Sequence, residues 1–425
     1  MSGLSLTEGH CRTRTGRTPA WRRLGLLRPG SVPVVSARDA PVTDVSIEAV
    51  RARFRSLAGP TAYFDGPAGT QVPDSVVETI SRYLLTQNAN SGGAFRRSVE
   101  TEETIGAARE AAASFLGAAA GDVSFGANMT SLNFALSRTV SREWVAGDEV
   151  VVTRLDHDAN ISPWLEIAHD RGVVVRFAQL DGQCRIDLDQ LRSLVNERTR
   201  VVAFPLASNA VGTVTPASEI VELAHAAGAL AWVDAVHYAP HGRIDVAELG
   251  CDVLLCSPYK FFGPHLGLAW VSRAVSDGWR PYKVRPQSET PGRRFETGTL
   301  AHELLAGLTA AVEYLDAVGW GFVQEHERSL GRVFLDGLAD TGWTLHGPPT
   351  MEGRVPTFCV SPAGESPSEA ARRLAEARFA VWDGNYYAVE VFNHLGLPDG
   401  AIRIGIVHTN TLDEVERLLA ALPRP

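Results

Sequence analysis

Apolar residues gather in short runs without alternation across the middle of the chain. Glu149-Val150-Val151-Val152-Thr153 is the first, and Gly172-Val173-Val174-Val175-Arg176-Phe177 follows. Arg200-Val201-Val202-Ala203-Phe204, Ala229-Leu230-Ala231-Trp232-Val233, residues 252–256 and residues 268–272 continue the series. Runs that are apolar at successive positions predict strands covered on both faces, and helical segments lie between them. One such helix is expected to take Thr215 as cap and Pro216 as its first residue, and to end before Gly228. Strands and helices in alternation predict an α/β fold with a mostly parallel sheet.

The flanks differ from this middle. Ile47, Val50, Phe54 and Leu57 recur at helical spacing behind Asp44 and Ser46 and predict an opening helix. Residues 63–69 read as a short strand and turn, and Glu102 to Leu116 as a helix. Beyond about residue 310 come longer helices and separated strands. They end in residues 401–407 and a helix from Leu412. The expected division is an extension at 1–44, an opening helix at 45–60 associated with the small domain, a large domain at 61–310 and a smaller α+β domain at 311–425. Residues 1–44 hold Arg12, Arg14, Arg17, Arg22, Arg23, Arg28 and Arg38 among Gly, Pro, Ser and Thr. They carry too little apolar surface to fold. A disordered extension, or a start assigned too far upstream, is expected before a targeting arm.

Composition removes several classes. The chain has 425 residues, 45% of them hydrophobic, which supports a large core. A net charge of -9 gives no basic bias toward nucleic acid or anionic membrane. No apolar run approaches the roughly 20 residues needed to span a bilayer. Cys11, Cys184, Cys251, Cys256 and Cys359 are scattered and have no metal-site spacing. Free thiols in a reducing cytoplasm are expected, with no metal.

Candidate chemistry centres on Lys260, in the turn Ser257-Pro258-Tyr259-Lys260 that follows an apolar strand. The strand at 229–233 ends in Asp234. An amine that can condense with an aldehyde, and a carboxylate that can keep a ring nitrogen protonated, are what pyridoxal phosphate chemistry requires. Both stand at carboxyl ends of strands, where open α/β sheets bind ligands. A buried carboxylate needs a partner, and a pyridinium would supply one for Asp234; a structural cap or a metal would also do so. Asn128, Met129 and Thr130 open a helix after a strand. They are either a phosphate site or a plain cap. His157 is placed to stack on a ring or merely to cap a loop. His237 is a candidate donor to the ring oxygen, and Ser257 and Tyr259 to the phosphate. Arg403 in the late strand is a candidate clamp for a substrate carboxylate or half of an ordinary ion pair.

Taken in order, these segments resemble the class V aminotransferase family, and within it the cysteine desulfurases. His157-Asp158-Ala159-Asn160 resembles the motif whose histidine stacks on the cofactor. Ala207-Ser208-Asn209-Ala210-Val211-Gly212 resembles the segment whose asparagine contacts cofactor or substrate. Asp234 matches the ring-nitrogen aspartate, and His237 stands where the family usually has glutamine. Ser257 to Lys260 resembles the Ser-x-His-Lys segment, with Tyr259 for histidine. Phe295-Glu296-Thr297-Gly298-Thr299 resembles a segment whose threonine reaches a neighbouring subunit's phosphate, and Arg403 matches the substrate-carboxylate arginine. The resemblance implies fold type I, with a large domain on a mostly parallel sheet of the seven-stranded type and a smaller C-terminal domain. It also implies a cytoplasmic homodimer that binds pyridoxal 5'-phosphate and acts on a small amino acid.

The departure lies in Trp382-Asp383-Gly384-Asn385-Tyr386-Tyr387-Ala388-Val389-Glu390, where Tyr387 aligns with the desulfurases' sulfur-carrying cysteine. Tyr387 is therefore expected near the substrate, and Cys359, in a strand-like run, is expected to be an inert core thiol. The expected reaction is Cα deprotonation by Lys260 followed by β-elimination, at a carbon–sulfur bond. Epimerisation and transamination are alternatives on the same scaffold. A non-catalytic cofactor-binding protein is a further one.

Overall fold

The computed structural model describes residues 45–423. The expectation for residues 1–44 lies outside them. Strands are numbered in chain order. The larger sheet uses β2 (Val123–Gly126), β3 (Glu149–Thr153), β4 (Val174–Ala178), β5 (Thr199–Pro205), β6 (Leu230–Asp234), β7 (Val253–Cys256) and β8 (Gly267–Val271). β1 is Ala62–Tyr63. The remainder are β9 (Thr344–His346), β10 (Thr357–Ser361), β11 (Phe379–Ala380), β12 (Trp382–Gly384) and β13 (Ala401–Gly405).

The seven-stranded sheet has the order β2-β8-β7-β6-β5-β3-β4. Only β8 runs against its neighbours β7 and β2; the other pairs are parallel. Every residue of β3 and β7 is buried, as unbroken Val and Leu runs demand. β4 forms an edge, and there Arg176 is exposed and pairs with Glu149. Trp164 and Trp232 meet edge to face at 4.9 Å in the buried layer on one side of the sheet. Parallel strands deliver their last residues to one edge. Asp234 closes β6, Ser257 follows β7, and His157 follows β3 by a few residues.

A second, antiparallel sheet has the order β12-β13-β10-β9, and β1 pairs with β11 in parallel. Phe358, Ile402, Ile404, Val415 and Leu418 belong to a separate apolar cluster here. Gly405 approaches the turn after β1 so closely that a Cβ would lie 2.1 Å from Pro67. Only glycine permits that contact, which seats residues 65–69 against the end of β13.

Three expectations change. The opening helix is short, Ile47–Arg51, capped by Ser46. A 3-10 turn Arg55–Ala58 follows. Phe54 turns extended between them to pack on Tyr314 and Phe262, at 5.3 and 6.1 Å, so one apolar stripe is shared by two elements. The helix expected from Pro216 runs Ala217–Ala226 with Pro216 as its cap residue. Thr215 is not the cap, and its buried hydroxyl has no hydrogen bond. The change of pattern near residue 310 falls inside the helix His302–Val318, which packs against the helices Asp74–Thr86 and Arg96–Leu116.

Candidate active site

The carboxyl edge of the large sheet and the small sheet enclose a cavity of about 680 Å³. It brings together Asn128, Met129, Thr130, His157, Asn209, Asp234, His237, Ser257, Tyr259, Lys260, Tyr387 and Arg403, all the site residues singled out in the sequence except Thr299. Thr299 is exposed and lines a different depression, with His302 and Asn90.

Lys260 ends a 3-10 turn, Pro258–Lys260, after β7. Its amine donates to the backbone carbonyls of Pro67 and Ala68, the latter at 3.0 Å. Among the described residues, no carboxylate lies within ion-pair distance of it. Burial, reinforced by the Arg403 charge, pulls the amine down to about 7 despite Asp234 and Asp65. A lysine so placed is uncharged in a substantial fraction of molecules near neutrality and is a competent nucleophile and base.

Asp234 accepts from the Val236 N–H at 2.8 Å through one oxygen. Burial pushes its carboxyl up to about 6, against that hydrogen bond and the Lys260 charge. Among the described residues it has no cationic partner within ion-pair distance, the situation in which a ligand cation is most valuable. His157 is both wall and cap. Its Nδ1 accepts from the Ala159 N–H at 3.0 Å, which places the neutral ring's proton on Nε2. Burial, with Lys260 and Arg403, lowers it to about 4.

The helix Met129–Val140 opens with Asn128 as cap, accepting from the Ser131 N–H at 2.8 Å. The Met129 N–H is not free as expected of a phosphate site, because it donates to Ser257 Oγ at 3.0 Å. The same bond leaves the Ser257 proton available for an incoming acceptor. His237 is held through Nε2 by Thr357 Oγ1 at 3.0 Å, and burial keeps it uncharged. Tyr259 stacks on His265 with ring centres 5.0 Å apart.

Arg403 on β13 is buried, without a carboxylate within ion-pair distance among the described residues. It donates to the Asn209 carbonyl at 3.0 Å and lies over the Tyr386 ring at 4.4 Å. Burial lowers even this guanidinium to about 10. The Asn209 side chain donates to the Tyr386 carbonyl at 2.9 Å, and its own oxygen is buried without a partner. Tyr386 and Tyr387 both adopt left-handed backbone, at φ 53° and 58°. The Tyr387 ring stands 5.5 Å from that of His157.

Sequence reasoning missed several supports. Asp156 accepts from Thr153 and from Asn160 Nδ2, while Asn133 joins Asn160, the Ala159 carbonyl and Trp232 Nε1. This buried network fixes the loop that carries His157. Asp65 was also unassigned; burial raises its carboxyl, while the charges of Arg403 and Lys260 oppose that. Glu296 accepts from Arg109 at 2.7 and 2.8 Å and from the Phe125 N–H, anchoring the segment before Thr299. A polar residue inside the apolar run 132–136 was the available signal for Asn133; Asp156 stands among polar loop residues and offered none. None of the four described cysteines lines the cavity, and all four are buried. Burial raises the Cys359 thiol strongly, as expected of an inert core position.

Comparisons with known proteins show what the chain is similar to. The family model described as aminotransferase class-V matches residues 62–418. A probable cysteine desulfurase of Mycobacterium leprae is 33% identical over 90% of this chain and 97% of its own length. An aminotransferase-like protein of Gibberella zeae is 30% identical over 89% of this chain and 98% of its own. Among solved structures, a cysteine desulfurase of Thermococcus onnurineus superposes with a TM-score of 0.84 at 26% identity. It covers 88% of this chain and 96% of that one.

Proposed function

The chain belongs to the class-V aminotransferase family, and from that premise we propose that it is a pyridoxal phosphate-dependent carbon–sulfur lyase acting on a small amino acid. The observation that carries the reading is one cavity holding a buried amine, a buried carboxylate and a buried guanidinium, none paired with another.

The residues fit the cofactor. Asp234, buried and lacking a cation, suits a protonated pyridine nitrogen, which would hold it in its charged form. The uncommitted proton of Ser257 and the start of the helix Met129–Val140 suit a phosphate. The unpartnered Asn209 oxygen and His237 suit polar atoms at the ring's edge. When bound, the cofactor supplies an electron sink for a pair released at the substrate Cα.

The protein's own groups do the rest. Arg403 holds the α-carboxylate, with its fork fixed by the Asn209 carbonyl. Lys260, near 7, takes the Cα proton at neutral pH. Its rest position on the Pro67 and Ala68 carbonyls keeps the freed amine beside the substrate. Tyr387 replaces a thiol at the cavity rim, so sulfur leaves with its substituent rather than on the protein. The same reading places the working protein in the cytoplasm as a homodimer. Reduced buried thiols and the position of Thr299, away from its own chain's cavity, support it. No helix of the described residues is long and apolar enough to cross a membrane.

The test is mass spectrometry of products after incubation with cysteine, cystine, cysteine conjugates and common amino acids. Pyruvate with a free thiol or sulfide is expected. A racemised amino acid, a keto acid with the substrate's carbon skeleton, or no turnover with cofactor bound would overturn the lyase reading.

A further inference from the structure

The mouth of the cavity carries two large aromatic side chains that the fold leaves uncovered. Trp382 is 51% exposed and Tyr387 is 71% exposed, yet both line the cavity. Neither contributes much to a core, so packing does not account for them.

The backbone behind Tyr387 is costly. Left-handed conformation costs a non-glycine residue about 1–2 kcal/mol, and here two occur in succession. The surroundings impose it. The Asp158 N–H donates to the Tyr387 carbonyl at 2.7 Å, and Asn209 Nδ2 donates to the Tyr386 carbonyl at 2.9 Å. The Tyr386 hydroxyl donates to the Ala401 carbonyl, and Asn385 Oδ1 accepts from the Tyr387 N–H at 3.1 Å. Four contacts hold a strained turn, and its outcome is a phenol ring fixed beside the His157 ring. Strain maintained at a cavity wall is a mark of function.

Charge narrows the occupant further. Lys260 and Arg403 are the cationic side chains lining the cavity and Asp234 is the anionic one. Asp234 and Arg403 are buried and Lys260 nearly so, and Arg403 stands opposite Trp382 across the β12–β13 pair. The Arg403 position accounts for one carboxylate. Trp382 and Tyr387 themselves offer aromatic surface and no charge at the mouth.

We propose that the substrates are cysteine S-conjugates whose sulfur substituent is an uncharged aromatic ring, received at the cavity mouth by Tyr387 and Trp382. This rests on the carbon–sulfur lyase reading and names its substrate class. The reaction breaks the Cα–H and Cβ–S bonds. The sulfur departs with its ring as a thiol, taking up a proton, and the three-carbon remainder takes up water to give pyruvate and ammonia. No oxidant or reductant is consumed.

The test uses the holoenzyme with S-benzyl-, S-butyl- and S-methyl-L-cysteine, reading thiol and pyruvate. For the unmodified enzyme, kcat/KM for the benzyl conjugate is expected to exceed that for the other two by about tenfold, the scale of a good aromatic contact. Tyr387→Ala and Trp382→Ala should each lower the benzyl-to-methyl ratio severalfold, mostly through KM, while Tyr387→Phe keeps it. A ratio near one in the unmodified enzyme, or a ratio unmoved by both alanine variants, overturns this proposal and leaves the lyase reading standing. Release of no thiol from any of the three overturns both.

Discussion

Arg403 and Asn209 meet through the main chain: the guanidinium on the small sheet donates to the asparagine carbonyl of the large domain at 3.0 Å. The bond fixes the plane of the fork that faces the cavity. Arg403→Lys keeps the charge and loses both the plane and the second parallel hydrogen bond to a carboxylate. Steady-state kinetics should show a raised KM and a lowered kcat together, because orientation is lost along with affinity. Arg403→Ala should cost more, about 2–5 kcal/mol in kcat/KM. Visible cofactor absorbance should survive in both. Normal kinetics in both variants would mean that no free carboxylate binds there.

Asp234 is the residue whose removal should harm chemistry most for the smallest change in shape. Asp234→Ala takes away the buried anion at the end of β6, and the rate should fall by at least about a hundredfold, the scale of losing a preorganised charge in an enclosed site. Asp234→Glu should be milder. Single-turnover measurements with saturating cofactor would separate this from weaker cofactor binding. A near-normal rate would assign the role to another group.

Lys260 links stability to pH in the ligand-free protein. Its amine titrates at about 7 when folded and near its ordinary 10.5 when unfolded. Below pH 7 both states hold the proton and the destabilisation from burial is fully present. Between 7 and 10.5 the unfolded state binds more protons, so stability rises with pH, by at most about 1.4 kcal/mol per unit. Lys260→Met lacks this dependence. Thermal melts at pH 7, 8 and 9 should show the variant more stable at pH 7, with the gap closing as pH rises. A constant gap would contradict the buried, depressed amine. Lys260→Met should also abolish turnover.

The described thiols should take no part. Cys359→Ala should leave turnover intact, and alkylation during reaction with cysteine should trap no persulfide on the protein. The co-product should be pyruvate and not alanine. A persulfide found on Cys359 by peptide mass spectrometry would restore a thiol-relay reading.

Much of this was legible before any coordinates. The runs at 149–153 and 252–256 became β3 and β7 nearly residue for residue, because strands covered on both faces leave no polar interruption to blur their ends. Lys260, Asp234 and Arg403 were legible for the opposite reason: each is an ionisable residue inside or just after such a run. What stayed hidden was tertiary. That the Met129 N–H belongs to Ser257, or that His237 belongs to Thr357, depends on residues 128 and 120 positions apart. Thr215 looked like a cap because Thr-Pro has the right chemistry, yet the helix begins one residue later. The strain at Tyr386 and Tyr387 has no signature in residue type, since tyrosine is a poor choice for such a backbone.

The close approach of Gly405 to Pro67 has a mechanical meaning. The turn at 65–69 is touched from the small sheet by Gly405, two residues beyond Arg403 on the same strand. From the other side its carbonyls hold the Lys260 amine. Under the proposed function, Arg403 as carboxylate clamp and Lys260 as proton-transferring amine would be two ends of a single lever with this turn as its fulcrum. A side chain introduced at position 405 would touch neither substrate nor cofactor, yet it would shift the reach of one end relative to the other.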